Sequence, residues 1–190
     1  MESVLSIKKD LPGERANGIV IQAGEFQKWY EAHYKRVYNY ISFRINNHHD
    51  TEELVSQVFE RVITKYHTYD PGRSSPEVWL MGIARNTITD YFRARKKGFP
   101  VSLDQIADFI SGNGQPDEIA VINESNRSLI EALSRLSEKE RNIVALKFAA
   151  GLKNTEIAEV MGISDSNIGV ILFRGLKKLR GELEKEGLSK

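Results

Sequence analysis

From Phe26 onward the apolar positions fall into helical register. Phe26, Trp29, Tyr30, Tyr34, Val37, Ile41 and Ile45 recur every three or four residues, with Lys28, Lys35, Arg36 and Arg44 between them, which predicts a first long helix with one buried face. The polar run NNHHD interrupts it. Asp50 followed by Glu53 has the spacing of a capping box, so a second helix is expected to start at Asp50 and to turn Leu54, Val55, Val58, Phe59, Val62, Ile63 and Tyr66 inward. TYDPGRSSPE then has the proline, glycine and serine of a loop, and Pro76 suits the first turn of a third helix. On that helix Leu80, Ile83, Ala84, Thr87, Ile88, Tyr91 and Ala94 share the inner face. Arg85, Asn86, Thr89, Arg93 and Lys96 share the outer one, with Trp79, Asp90 and Lys97 along its flank.

Residues 1–24 show no sustained period and read as a mobile tail with a short apolar touch at Ile19 to Ile21. Residues 98–125 hold Gly98, Pro100, Gly112, Gly114 and Pro116 around a short apolar piece, Ile106 to Ile110, and read as a linker. Helical register returns from Asn126 with Leu129, Leu133 and Leu136, and Ser137 with Glu140 forms a second capping-box pattern before a segment closed by Gly151.

NTEIAEVMGISDSNIGVILF carries the most specific pattern. Ile157, Ala158 and Met161 line a short helix, Gly162 permits a left-handed turn, Ile163 plugs it, and Ile168 and Ile171 return after a serine cap. That is the spacing of a helix-turn-helix, in which the small Ala158 lets two helices cross closely. With Ile168, Ile171 and Leu172 directed inward, Ser166, Asn167 and Val170 are left for the major groove. Arg174, Lys177 and Lys178 follow as phosphate contacts. The fold class expected is therefore all-α, with two small helical domains, residues 25–97 and 126–186, joined by a flexible acidic linker.

Charge sharpens this division. The 190-residue chain carries a formal net charge of only +1, but residues 1–97 hold 15 bases and 12 acids, 98–125 no base and 5 acids, and 126–190 12 bases and 9 acids. Two mildly basic blocks around an acidic connector suit two domains that share a polyanion. The chain has no cysteine, which excludes disulfides, thiolate catalysis and cysteine-based zinc sites. No apolar run is long enough to span a bilayer, and the first 15 residues lack the apolar core of a signal peptide, so a cytoplasmic location is expected. His48 and His49 near Asp50 and Glu53 have no third histidine beside them and read as a polar turn, not a metal site. GNG lacks the preceding strand and third glycine of a dinucleotide fingerprint. No nucleophile–base set or phosphate loop is legible, so an enzyme is not expected.

The order of these pieces resembles the compact two-domain sigma factors of bacterial RNA polymerase, the extracytoplasmic-function group, over residues 25–186. HDTEELVSQVFERVITKY is similar to that family's polymerase-docking helix, SSPEVWLMGIARNTITDYFRARKK to its promoter-melting helix, and LSEKERNIVALKFAAGLKNTEIAEVMGIS with GLKKLR to its promoter-reading domain. The resemblance implies a non-enzymatic factor that brings core polymerase to promoters, with residues 126–186 on the minus-thirty-five element and 25–97 on the minus-ten element, which it opens. It implies docking through Glu52, Glu53, Gln57 and Glu60. It also implies a pocket for a flipped base at Asp70, Arg73, Ser74 and Ser75, with Asn86 reading the neighbouring edge. Trp79 is expected to stack on a base, and Arg85, Arg93, Arg95, Lys96 and Lys97 to hold the DNA backbone. Core polymerase and promoter DNA are the implied partners, an anti-sigma protein is a further candidate, and no cofactor or metal is implied. Two rivals stand beside this reading. One is a helix-turn-helix transcriptional regulator acting without polymerase docking, and the other an all-helical hydrolase built on Asp50, Glu53 and the histidines.

Overall fold

A computed structural model of the chain describes residue 21 and residues 23–45, 47–95, 129 and 131–185. Most of the expected tail, the whole acidic linker, Lys96, Lys97 and the side chain of Arg95 lie outside the described residues. Within them the chain is helical, in the order α1 (Ala23–Ile45), α2 (His48–Lys65) continued by one 3₁₀ turn at Tyr66–Thr68, α3 (Pro76–Arg95), α4 (Glu138–Val144) running into a π turn at Ala145–Ala149, α5 (Asn154–Met161) and α6 (Asp165–Lys185). Among the described residues there is no strand.

The ends of these helices follow local chemistry. Asn47, not Asp50, caps α2, its side chain accepting from the Asp50 amide at 3.0 Å, so the helix begins at His48. Asp50 is instead buried and accepts the Tyr91 hydroxyl at 2.7 Å, a tertiary use that removes it from a capping role. Ser137 and Glu140 do form the reciprocal capping box that opens α4. Gly162 ends α5 at φ 66°, with the Ile163 amide donating to the Ala158 carbonyl at 3.1 Å, so a residue with a Cβ would be strained there.

Helices α1, α2 and α3 form one antiparallel group around Val37, Ile41, Leu54, Val58, Val62, Leu80, Ile83 and Ile88. Helices α4, α5 and α6 form a second group around Leu146, Leu152, Ile157, Ile168 and Leu172. Each large side chain fully buried in this way is worth about 1.5–3 kcal/mol, so the cores of the two groups, which join in one continuous cluster, carry the stability of a chain without disulfides.

The two groups also pack on each other, α1 against the π turn and α3 against α5. This contact explains where α3 departs from its expected stripe. Met81 and Val78, outside that stripe, are 0% and 7% exposed, because α3 is covered by α5 as well as by α1 and α2. Ala94, placed on the inner face by periodicity, is exposed, because it lies at the last turn beyond the packing of the neighbouring helices. At the contact the Tyr40 hydroxyl donates to Asn142 Oδ1, and the Arg44 guanidinium, 3% exposed, lies 3.8 Å from the Glu138 carboxylate and 5.8 Å from the Phe92 ring centre.

Candidate nucleic-acid interface

In the second helical group, α5 and α6 cross at the left-handed Gly162 turn, and α6 presents two unlike faces. Ile168, Leu172, Gly175 and Leu179 are buried, and a Cβ on Gly175 would sit within 4.0 Å of Glu140, Val144 and Leu136, so α4 lies close along this side. Ser166, Asn167, Val170, Arg174 and Lys177 are exposed on the other side. The Ser164 hydroxyl accepts the Asn167 amide at 3.3 Å and fixes the start of the helix, so three side chains able to meet base edges stand ahead of two cations suited to phosphates.

Lys178 has a different surrounding from the phosphate contact expected of it. Its ammonium donates to both carboxylate oxygens of Glu140, at 2.7 and 2.9 Å, while that carboxylate also accepts from the Ser137 amide and hydroxyl. Burial pushes the Glu140 carboxyl up, but the bonds from Lys178 and Ser137 outweigh it and hold it below the usual carboxylate range. A carboxyl depressed on folding stabilises the protein at every pH above its ordinary value, and that increment disappears as pH falls through the folded value. Thermal unfolding followed from neutral pH into acid should therefore show Glu140→Gln to be destabilised by about 1–2 kcal/mol at pH 7, with the difference from the unsubstituted chain closing below about pH 4.

In the first group the outer face of α3 carries Asn86 and Arg93, both exposed, with Arg85 half-buried to one side. Asp90 is held at 3.0 Å by Arg61 of α2, whose guanidinium also donates to Thr87 at 3.1 Å, so this flank is tied to α2. The loop before α3 is ordered by its own groups. The Asp70 carboxylate accepts the Gly72 amide at 2.9 Å and lies 3.7 Å from Arg73, the Asp70 carbonyl accepts the amides of Arg73 and Ser74, and the Ser75 hydroxyl accepts the Val78 amide. Asp70 and Arg73 are exposed, and Ser74 and Ser75 half-buried.

Trp79 does not project from this face alone. It is half-buried in a cluster with Trp29, Tyr66 and Tyr69, at ring-centre distances of 5.9, 6.5 and 5.3 Å. Tyr66 is tied in turn to Glu25 by a 2.6 Å hydrogen bond, which together with burial pushes its phenol up to about 12 and keeps it a donor. Helical periodicity placed Trp29 and Tyr66 among the core positions of the first two helices and left Tyr69 in the loop, and it gave none of the three a place beside Trp79. The signal was present in the close spacing of aromatics at 66, 69 and 79 on either side of one polar loop.

On α2 the outward side carries Glu52, Glu53 and Glu60, all exposed, with Gln57 half-buried and donating to Glu53 at 3.2 Å. Leu54, Val55, Val58, Phe59 and Val62 take the inner side. The acids are thus free of the core, and His48 lies 3.3 Å from Glu52. Among the described residues no group of three or more histidines or acids could hold a metal ion. No described helix is long and apolar enough to cross a membrane.

Comparison with known proteins decides the family. Residues 29–98 match Sigma-70 region 2 and residues 126–179 match Sigma-70, region 4. The ECF RNA polymerase sigma factor SigX of Bacillus subtilis is 31% identical over 163 residues, 84% of each chain. The chain belongs to the ECF sigma factors. It directs RNA polymerase to promoters. The ECF sigma factor SigM of Bacillus subtilis is 28% identical over 80% of this chain and 90% of its own. The sigma factor RpoE of Bartonella quintana, solved with the anti-sigma factor NepR, shares the fold at TM-score 0.66 and 19% identity, covering 85% of this chain and 98% of its own. CnrH, solved with the cytosolic domain of CnrY, aligns at TM-score 0.65 and 19% identity over 86% and 90%. Among the described residues of this sigma factor, the loop and the outer faces of α3 and α6 present exposed polar and basic side chains, and the outer side of α2 presents exposed acids.

Proposed function

We propose that this sigma factor divides its work between its two helical groups and has no catalytic activity of its own. The first group docks on core polymerase through Glu52, Glu53, Gln57 and Glu60 of α2, and captures minus-ten DNA. Asp70, Arg73, Ser74 and Ser75 receive an extruded base there, Asn86 reads beside it, Trp79 supplies a ring edge, and Arg85, Arg93, Arg95, Lys96 and Lys97 hold the backbone. A base must leave the stack before a pocket can read it, at a cost of a few kcal/mol that the contacts must offset. The second group reads the minus-thirty-five element with Ser166, Asn167 and Val170, while Arg174 and Lys177 contact phosphates. Lys178 contributes to the field but is committed to Glu140. The factor acts in the cytoplasm, where polymerase meets the chromosome, and the pairing of RpoE of Bartonella quintana with the anti-sigma factor NepR supports an anti-sigma protein as a partner here too.

The observation that carries this reading is the separation of faces. In α2, α3 and α6 alike, an apolar side is committed to the core, and Glu52, Glu53, Glu60, Asn86, Arg93, Ser166, Asn167, Val170, Arg174 and Lys177 stand exposed on the other side, with Gln57 and Arg85 half-buried at its edge. Run-off transcription with reconstituted core polymerase tests it. The unsubstituted chain should support promoter-dependent transcripts, and changing Gln57 and Glu60 together to lysine should cut co-purification with core polymerase at least about tenfold without changing helical content, since two like charges placed at an interface cost several kcal/mol. Unchanged co-purification would remove the acidic side of α2 from the docking surface.

A further inference from the structure

The Trp29 indole touches both shoulders of the loop at Asp70 to Ser75. Its ring centre lies 5.8 Å from Tyr66 and 5.6 Å from Tyr69, which lead into the loop, and 5.9 Å from Trp79, in the first turn after it. All three contacts are edge-to-face, at 88°, 73° and 84°. His33, one turn further along α1, packs on the same indole at 5.1 Å. Among the described residues the hydrogen bonds of the loop itself are internal or run to the start of α3, so they shape it without tying it to α1 or α2. Its shoulders are tied to α1 by the rings, beside the Tyr66–Glu25 hydrogen bond at 2.6 Å and the Arg36–Glu77 pair at 3.9 Å. Tyr69 and Trp79 also touch each other, at 5.3 Å, and Trp29 packs edge-on against both. Edge-to-face aromatic contacts are directional, so a tryptophan from a separate helix set against the two shoulders fixes their orientation in a way that an aliphatic side chain of similar bulk does not.

We propose that Trp29 is a positioning residue for the loop: by packing on both Tyr69 and Trp79 it fixes the orientation of this pair relative to α1 and so keeps Asp70, Arg73, Ser74 and Ser75 in place to receive a base. This rests on the reading of that loop as the base pocket. A pocket held in shape before the base arrives does not spend contact energy on ordering itself, and misplacement by about 1 Å can cost on the order of a hundredfold in rate.

The test uses holoenzyme reconstituted with the full chain carrying Trp29→Leu or Trp29→Phe. Trp29→Leu should slow open-complex formation on a duplex promoter by on the order of tenfold and weaken discrimination at a single minus-ten position, read by permanganate reactivity on a set of promoter variants. Trp29→Phe, which keeps a ring edge, should recover most of both. Co-purification with polymerase and the unfolding midpoint of Trp29→Phe should stay close to those of the unsubstituted chain. The chain has two tryptophans, both in this cluster, so Trp29→Phe also leaves Trp79 as its only indole. With 7-azatryptophan incorporated in the sigma factor, excited apart from polymerase, the Trp79 emission should change when single-stranded minus-ten DNA binds. Equal activity of the leucine and phenylalanine variants, or a loss shared evenly by all minus-ten variants, overturns the proposal. If Arg73→Ala and Asn86→Ala also leave opening and base choice unchanged, the base-pocket reading itself fails. If they are impaired and Trp29→Leu is not, only the role of Trp29 falls.

Discussion

A chain labelled at Lys35→Cys and Glu159→Cys is expected to show efficient energy transfer when free and to lose most of it in a promoter-bound polymerase complex. The native sequence contains no cysteine, and both positions are exposed, so the two dyes would report on α1 and α5 alone. Free, the helical groups are joined by the Tyr40–Asn142 hydrogen bond and the Arg44–Glu138 contact, and a compact body of this size has a radius of gyration of only about 15 Å. On a promoter, elements about 25 base pairs apart are separated by about 85 Å at ~3.4 Å per base pair. The chain from residue 95 to residue 129 could reach at most about 120 Å when fully extended, so covalent geometry permits the separation, while the packed arrangement does not.

The energetics of the contact favour a reversible closure. A buried neutral hydrogen bond such as Tyr40 to Asn142 is worth only about 0.5–1.5 kcal/mol net. Burial pulls the Arg44 guanidinium below its ordinary value, its Nε has no hydrogen-bond partner among the described residues, and it reaches Glu138 only through a long 3.5 Å hydrogen bond to the carbonyl and 3.8 Å to the carboxylate, so a poorly paired cation offsets part of the apolar gain. Opening returns Arg44 to water. Docking contacts on polymerase then have a small barrier to overcome. Unchanged transfer efficiency in a transcribing complex would show that the two groups read DNA without parting.

Ile157→Ala is the substitution with the largest expected effect on stability. Ile157 is 0% exposed at the crossing of α5 and α6, in one cluster with Leu146, Leu152 and Ile168. Removing its side chain should cost about 2–5 kcal/mol, through lost burial and the cavity left behind. A small domain holds only about 5–15 kcal/mol in all, so the second helical group should lose cooperative unfolding or melt well below the unsubstituted chain, as followed by circular dichroism. The first group retains its own core, so co-purification with polymerase should survive while transcription from promoters that depend on the minus-thirty-five element collapses. An unfolding midpoint within a degree or two of the unsubstituted chain would mean that the crossing of α5 and α6 does not carry the stability of the second group.

Where sequence and structure part, the cause is tertiary in each case. The capping pattern at Asp50 was locally sound, but Tyr91 of α3 takes that carboxylate and Asn47 becomes the cap. Lys178 had the spacing of a phosphate contact, yet Glu140 of α4 lies within 2.7 Å of it. Trp79 sat on the polar flank of a helical projection, and Trp29 of α1 draws it into an aromatic cluster. Val78 and Met81 fell outside the expected stripe of α3 and are buried, because that stripe assumed a helix with one covered side.

The chain's own pattern determined its class, its helices, the left-handed glycine turn at Gly162 and the outward triad Ser166, Asn167 and Val170. All of these depend on the 3.6-residue period, on capping chemistry and on the conformations open to glycine, which act over a few neighbouring residues. Only the tertiary structure decided which polar side chains remain available to DNA, which are consumed by a partner helix, and that α3 is enclosed on two sides. Those outcomes depend on residues 29, 40, 50, 140 and 142 meeting side chains about 40 to 100 positions away, as in Tyr40 with Asn142 and Tyr91 with Asp50, and periodicity along one helix holds no record of what lies across from it.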